Sequence, residues 1–202
     1  MKYYKVRLTF SCLWIVILFI SDINWGHAQP ARIKFAHDTS QINKLLTKIH
    51  SLEDTNTKAA IVLIGQVKKL CAIAGVDTLM AKAYLEEGFC NFYAGNYKRS
   101  ALLFDSSAYL WKKFDHLNYF KAVNDKATAL MYNSEYHKAL LAFFECMGMN
   151  KYVRDKKLTG KVLNNIGLVY ESIGDADNAI FYEKKSLVYK RGTNDSLSLA
   201  RT

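Results

Sequence analysis

The chain has 202 residues, of which 28 are Lys or Arg and 18 are Asp or Glu, so its formal charge is +10. Half of the residues are hydrophobic and 13% are aromatic, which excludes a disordered or low-complexity protein because such chains lack apolar surface to bury. The four cysteines are too few for a disulfide-stabilised scaffold, and the single proline leaves nearly all of the chain free to form helices.

The N-terminus has the pattern of a secretory signal peptide. Basic residues within the first seven positions precede an apolar run over 8–20, and small residues follow it up to Ala28. This run is shorter than the roughly 20 residues that a transmembrane helix needs. We therefore expect residues 1–28 to be cleaved and the mature chain to be exported, either periplasmic or secreted. The alternative is an uncleaved membrane anchor.

The mature chain would remain basic, and no later segment is apolar enough to cross a membrane. A basic surface often binds nucleic acid, but an exported protein seldom meets any, so we expect no nucleic-acid partner. The charge is better suited to an anionic envelope or to acidic groups on a partner protein. Three cysteines would remain, Cys71, Cys90 and Cys146, so at most one disulfide can form.

After the signal, the chain repeats itself about every 40 residues. Small residues recur at three offsets of the repeat: Gly88, Ala127 and Gly167; Ser100, Ala139 and Ala179; Ser107, Cys146 and Ser186. Small side chains let two helices approach closely, and the apolar residues between them recur at helical spacing. Each repeat is therefore predicted to be a helical hairpin, and hairpins in phase stack into a superhelix.

Turn-forming and helix-capping residues also recur in phase. The pairs Gly95-Asn96, Asn133-Ser134 and Gly174-Asp175 are expected at one corner of each hairpin. Asp115, Asp155 and Asp195 are expected at the opposite corner, where each can cap the next helix.

The predicted fold is all-α, a right-handed superhelical array of antiparallel helical hairpins. A degenerate hairpin is expected at 38–76, three repeats at 81–119, 120–159 and 160–194, and the start of a further, truncated repeat at 195–202. The helices are predicted near 39–53, 57–74, 78–93, 97–114, 117–132, 136–153, 157–173 and 177–191.

The most regular copy runs over 163–170, continues with Gly174-Asp175 and ends at 178–182. It resembles the tetratricopeptide repeat, whose pattern has Leu-Gly, Tyr, Ala and a second aromatic at fixed offsets. The other copies depart at Glu87, Asn91, Lys126 and Leu130, and the period exceeds the 34 residues usual for that family. The resemblance is to the long-helix variety found in kinesin light chains and in bacterial regulators.

The resemblance implies a groove lined by positions 2, 5, 9, 12 and 13 of each first helix. The partner-binding residues predicted from these positions are Lys82, Phe89, Phe92, Tyr93, Lys121, Asn124, Tyr132, Lys161 and Asn164. Lysines and asparagines suit an extended peptide that bears carboxylates, because Lys supplies charge and the Asn amide pairs with a peptide backbone. The alternative is that these lysines lie on an ordinary solvated helix face.

The sequence contains no recognisable catalytic site. His37, His50, His116 and His137 show no pair at metal-ligand spacing, and there is no phosphate-binding glycine loop or serine-nucleophile motif. Cys146 occupies a small-residue packing position and is expected to be inert. We therefore expect a chain that is not an enzyme and that needs no metal or cofactor.

Two functions are consistent with these observations. The first is a non-catalytic module that binds a protein or peptide, of acidic character, in its groove outside the cytoplasm. The second is the sensory N-terminal region of a longer signal transducer, either a histidine kinase or a helix-turn-helix regulator. The position of residue 202 within the repeat phase somewhat favours the second, and further repeats with an apolar span beyond this residue would distinguish it from the first.

Overall fold

The computed structural model describes residues 39–191, and this part of the chain consists of helices and turns without a strand. The chain divides into two units, Met1–Gln41 and Ile42–Thr202, and the hairpins belong to the second. The helices are α1 (39–50), α2 (Thr57–Ala74), α3 (Asp77–Tyr93), α4 (Tyr97–Trp111), α5 (His116–Tyr132), α6 (Tyr136–Gly148), α7 (Asn150–Val153), α8 (Lys156–Ser172) and α9 (Ala176–Arg191). The predicted signal peptide, His37, Asp195 and the segment 195–202 lie outside the described residues.

Consecutive helices pack on one another, which confirms the predicted all-α, solenoid-like fold. In the hairpins α3–α4, α5–α6 and α8–α9, the same buried contact recurs between the second helix and the start of the first. Ser107 Oγ donates to the Ala81 carbonyl (2.8 Å), Cys146 Sγ to that of Phe120 (3.6 Å) and Ser186 Oγ to that of Gly160 (2.8 Å). Each donor follows its acceptor by 26 residues, so the three hairpins share one register.

Close approach of the two helices in α3–α4 depends on small residues near the corner. Ser100 Oγ donates to the Gly88 carbonyl at 2.8 Å, and Ser100 is fully buried. A Cβ added to Gly88 would lie 2.5 Å from the Phe104 ring, so only glycine fits beneath this ring. Because 88 pairs with 100 and 81 with 107, the two helices are antiparallel.

The corners between first and second helices close as predicted. Gly95, Ser134 and Gly174 have positive φ values of 76°, 61° and 81°. The N–H of the residue after each one donates to a carbonyl five residues earlier, which satisfies an otherwise free helix end: Asn96 to Asn91, Glu135 to Leu130 and Asp175 to Tyr170. A side chain at positive φ is strained, and among these corners only Ser134 carries one.

Aspartates at the opposite corners cap the following helices, which confirms two of the three predicted caps. Asp115 accepts hydrogen bonds from the backbone N–H groups of Leu117 and Asn118, at the start of α5. Asp155 accepts one from the N–H of Leu158, at the start of α8. These bonds satisfy donors that a helix N-terminus leaves free.

The core follows the apolar stripe of each helix. Ile42 and Ile49 of α1 are fully buried and pack with Ile64 and Val67 of α2 in one cluster. A second cluster runs through α3–α8 and contains Phe104, Phe120 and Phe143 among its largest members. No helix of the described part of the chain is both long and apolar enough to cross a membrane.

One predicted helix is interrupted. The segment predicted as a single helix at 136–153 forms α6 and the short α7, with a break at Met149. Gly148 favours the helix less than other residues do, and Met149 turns its side chain into the core. Arg154, at a φ of 48°, ends α7 and directs the chain to the Asp155 cap.

Candidate functional site

The first helices of the hairpins, α1, α3, α5 and α8, form one surface, here called the first-helix face. Each helix contacts the next through side chains. His50 Nδ1 lies 3.4 Å from Glu86 Oε2, the Phe92 and Tyr132 ring centroids are 5.2 Å apart, and Asn165 Nδ2 donates to Thr128 Oγ1 at 3.5 Å. These contacts make the face continuous from α1 to α8.

Four of the predicted binding residues, Phe89, Phe92, Tyr93 and Tyr132, come together with Tyr97, and the five are called the aromatic cluster. Phe92 lies edge-on to both Tyr97 and Tyr132, with centroids 5.2 Å apart in each case. Phe89 stacks on Tyr93 at 6.4 Å. Tyr93 and Tyr132 are each 55% exposed, so the cluster offers rigid amphipathic rings to solvent.

The predicted lysines Lys82, Lys121 and Lys161 are all exposed, one on each of α3, α5 and α8. The residues four positions later, one helical turn further on, are Glu86, Asp125 and Asn165. The first two lysines therefore have an acidic neighbour on the same helix, and the third does not. The positive charge of this face is consequently concentrated towards Lys161.

Asp125 lies half-buried between these lysines. Burial raises the pKa of its carboxyl group to about 6, while Lys161, the hydrogen bond from Asn124 and Lys121 act in the opposite direction. The carboxylate is therefore less stable here than in water, although two cations are close to it. The repeat positions predicted the lysines of this face as binding residues but did not predict Asp125, which lies between them.

The two predicted asparagines make hydrogen bonds within the chain. Asn124 is buried, and its Nδ2 donates to Asp125 Oδ1 at 3.1 Å. Asn164 is half-buried, and its Oδ1 accepts a hydrogen bond from Lys190 Nζ at 3.2 Å. The sequence pattern predicted that both amides would pair with a partner's backbone, whereas in the free chain both make internal hydrogen bonds.

A cluster that the sequence did not reveal lies at the α1 end of the face. His50 Nδ1 lies 3.5 Å from Glu53 Oε1 and 3.4 Å from Glu86 Oε2. Burial and the Glu86 carboxyl group raise the pKa of Glu53 to about 7, and both carboxylates raise the pKa of His50. His50 and Glu86 are 36 residues apart and on different helices, so spacing along the chain gave no signal.

A second unpredicted feature lies on the second helices. Apolar side chains one repeat apart are exposed on α2, α4, α6 and α9: Val62 (64%), Leu102 (58%), Leu141 (59%) and Phe181 (49%). These four residues are called the outer apolar row. Leu102 and Leu141 also line a cleft of about 430 Å³ between α4 and α6. Their spacing of 39 or 40 residues was visible in the sequence as an apolar position outside the predicted core.

No protein-family model and no curated protein matches this chain.

Proposed function

We propose that the chain is an exported interaction module of the tetratricopeptide type, which binds an extended segment of a partner protein across the first-helix face and catalyses no reaction. The repeat supports the family assignment. The same buried hydrogen bond joins Ser107, Cys146 and Ser186 to their first helices, and the same left-handed corner recurs 39 and 40 residues apart. Repeats that contact only their neighbours are the basis of such arrays.

The observation that carries the proposal is the exposure of the aromatic cluster. Tyr93 and Tyr132 each expose 55% of their surface on the same face, although both touch the rings of buried or half-buried neighbours. Packed rings lose little conformational entropy when they bind, which is why tyrosines are frequent anchors of protein interfaces. The cluster is thus suited to hold an apolar or aromatic side chain.

The charges of the face suggest the chemistry of the remaining contacts. Lys121 and Lys161 are exposed, and Lys161 has no acid four residues later. Packed helices lie about 8–10 Å apart, and an extended chain advances about 3.3–3.6 Å per residue. Two residues of the bound segment that contact neighbouring first helices would therefore be roughly three positions apart in its sequence. The proposed segment therefore carries an apolar anchor for the aromatic cluster and acidic residues, about three positions away, for α5 and α8.

Peptide-array binding with the full chain tests the proposal. An array that varies the anchor and the acidic positions should select peptides with both features. Tyr93→Ala and Tyr132→Ala should each weaken the selected peptide by about tenfold or more, as expected for a central aromatic anchor. Tyr109→Ala is the matched control, because Tyr109 is a tyrosine on α4 that is 71% exposed.

Equal loss with Tyr109→Ala, or no loss with either tyrosine of the cluster, would contradict the first-helix face as the binding surface. Loss of binding with Leu102→Ala and Leu141→Ala alone would instead assign the partner to the outer apolar row. Salt dependence separates the two kinds of contact, because the lysine contribution weakens with added salt while that of the aromatic rings does not.

Export is tested on the protein as the cell produces it. The proposal depends on cleavage after Ala28, so N-terminal sequencing of chain recovered from the envelope or the medium should begin at Gln29. An intact N-terminus in membranes would instead identify an uncleaved anchor.

A further inference from the structure

We infer that His50, Glu53 and Glu86 form a binding site for one divalent transition-metal ion, with Zn²⁺ as the best-fitting example. The three residues lie where α1 ends and α3 passes beside it. The inference goes beyond the proposed function and does not depend on it, because these three residues belong neither to the aromatic cluster nor to the predicted lysines.

The distances within the cluster fit a small ion. His50 Nδ1 is 3.5 Å from Glu53 Oε1 and 3.4 Å from Glu86 Oε2, and the three ligand atoms all lie within 4.8 Å of one another. Two ligands at about 2.0–2.2 Å from a tetrahedral ion are roughly 3.3–3.6 Å apart. Both measured histidine–carboxylate separations fall in this range, so an ion can enter with only a small movement of the glutamates.

Glu53 provides a second, independent indication. The residue is only 7% exposed, and its Oε2 atom is buried and accepts no hydrogen bond. A buried carboxylate oxygen without a partner is costly, because burial removes the hydration of a charged group. Such an atom beside an imidazole and a second carboxylate requires a proton or a cation.

The carboxylates of the cluster form no ion pair with a lysine or arginine of the described part of the chain. Among the described residues, the ion pairs of Glu53 and Glu86 involve only His50. Lys68 and Arg99 pair with the adjacent Glu87, and Lys82, one helical turn before Glu86, makes no ion pair with it. Two carboxylates and a neutral imidazole carry a charge of about −2, which one divalent cation neutralises.

The donor set also indicates the kind of ion. Imidazole nitrogen together with carboxylate oxygen favours Zn²⁺ and similar transition metals, whereas Mg²⁺ and Ca²⁺ prefer oxygen ligands alone. Within residues 39–191 the site offers three protein ligands, and the side chain of His50 is 69% exposed, so a fourth coordination position can open to water. A bound ion would link the end of α1 to α3 and thereby join the first hairpin to the second.

Calorimetric titration of the full chain with ZnCl₂, after dialysis against EDTA, tests the site. One ion per chain should bind, and Zn²⁺ should raise the melting temperature. Glu53→Gln, Glu86→Gln and His50→Ala should each weaken Zn²⁺ binding by more than about 100-fold, because even the outer partners of metal ligands contribute 10–100-fold. The matched controls His137→Ala and Glu171→Gln, at exposed positions on α6 and α8, should bind as the wild type does.

Further measurements separate a metal site from other causes of the same result. In EDTA, Glu53→Gln should keep its helical circular dichroism and melt at or above the wild-type temperature, because the buried charge is gone; Zn²⁺ should then stabilise only the wild type. Were Glu53→Gln to misfold, His50→Ala would still decide the question, since His50 is exposed.

A spectroscopic measurement identifies the ligands. Bound Co²⁺ should show no thiolate charge-transfer band, because buried Cys90 is not a ligand. Absence of binding, or binding unchanged by Glu53→Gln and His50→Ala, would overturn the metal site.

Discussion

The hairpin α5–α6 and the two that flank it have the same geometry but different residues at the positions that define it. Where α3–α4 and α8–α9 have glycine at the helix crossing, serine at the buried hydrogen bond and glycine at the corner, α5–α6 has Ala127, Cys146 and Ser134. All three corners nevertheless have positive φ, and all three hydrogen bonds reach the same carbonyl position. Small volume and backbone conformation are therefore what the repeat requires, rather than one residue type.

Gly88 and Gly167, where the two helices of their hairpins approach closely, pack against different side chains. The Phe104 ring fills the space beside Gly88 and leaves no room for a Cβ, whereas a Cβ added to Gly167 would lie 3.1 Å from the Cγ of Glu183. Glu183 is half-buried and has a long, unbranched side chain, whereas Phe104 is buried in the core. Exchanging residues between hairpins therefore tests which of them are interchangeable.

Gly88→Ala, which gives α3–α4 the alanine of α5–α6, should have the largest effect. The new Cβ would lie 2.5 Å from the Phe104 ring, so we expect a loss of about 2–3 kcal/mol in the free energy of unfolding. Gly167→Ala should cost less, because the Glu183 side chain can move aside, while Gly167→Leu should still cost roughly 1–3 kcal/mol. Urea denaturation measures all three.

Gly65→Ala is the control for helix propensity. Gly65 is exposed in α2, and an added Cβ meets no atom within 4 Å, so alanine should stabilise the chain by roughly 0.5–1 kcal/mol. A Gly88→Ala variant as stable as the wild type would show that Phe104 does not pack on this crossing.

Ser107→Ala and Ser186→Ala should have equal effects. Each hydroxyl donates at 2.8 Å to a first-helix carbonyl, and each serine is fully buried. Removing the donor leaves a buried carbonyl without its partner, so each variant should lose about 1–2 kcal/mol in denaturant unfolding. A large difference between the two would indicate that the hairpins do not share one register.

Asp125→Asn gives α5 the residue that α8 has at Asn165, and its effect should depend on pH. The pKa of Asp125 rises from 3.8 to about 6 on folding, so the folded chain holds this proton more tightly than the unfolded chain. The resulting stabilisation is fully present below the unfolded pKa and is lost as pH rises through about 6. The variant should therefore exceed the wild type by roughly 1–3 kcal/mol at pH 7, the upper value being the equivalent of the full pKa rise, and match it at pH 3.5. Melting temperatures across pH 3.5–7.5, with the exposed Asp177→Asn as control, test this; a constant difference would contradict it.

Ser134→Gly, which gives the α5–α6 corner the glycine of its neighbours, should have the smallest effect. Ser134 has a φ of 61°, where a side chain is strained, so glycine should stabilise the chain by about 0.5–1 kcal/mol. The reverse change, Gly174→Ser, should destabilise it by a similar amount. Thermal melts of both variants give the comparison. Stabilisation by both substitutions would show that the positive φ of the corner does not determine their effect on stability.

The sequence predicted the fold well because its signal is local and repeated. Corner glycines and capping aspartates act within five residues of themselves, so their spacing defined the hairpins, and α3 was expected at 78–93 and found at Asp77–Tyr93. The predicted helix at 136–153 is interrupted at Met149, where Gly148 weakens the helix and Met149 is buried, and neither feature has a counterpart one repeat away in the sequence pattern.

The candidate site was only partly predictable, because it depends on contacts between repeats. Phe92 and Tyr132 lie in different hairpins, and the family positions placed both on one face. The same positions gave no indication that Asn124 would be buried or that Asp125 would lie between two lysines. His50 and Glu86 meet only after α1 and α3 have packed together.

Amide hydrogen exchange of the full chain, with and without an array-selected peptide, tests the central claim most directly. The claim is that a partner segment binds along the first-helix face, with the aromatic cluster as its anchor. Added peptide should slow exchange in the C-terminal turns of α3 and α5, which carry Tyr93 and Tyr132, and should leave α6 and the part of α4 beyond its first turn unchanged. Slower exchange confined to α4 and α6, beneath the outer apolar row, would contradict it.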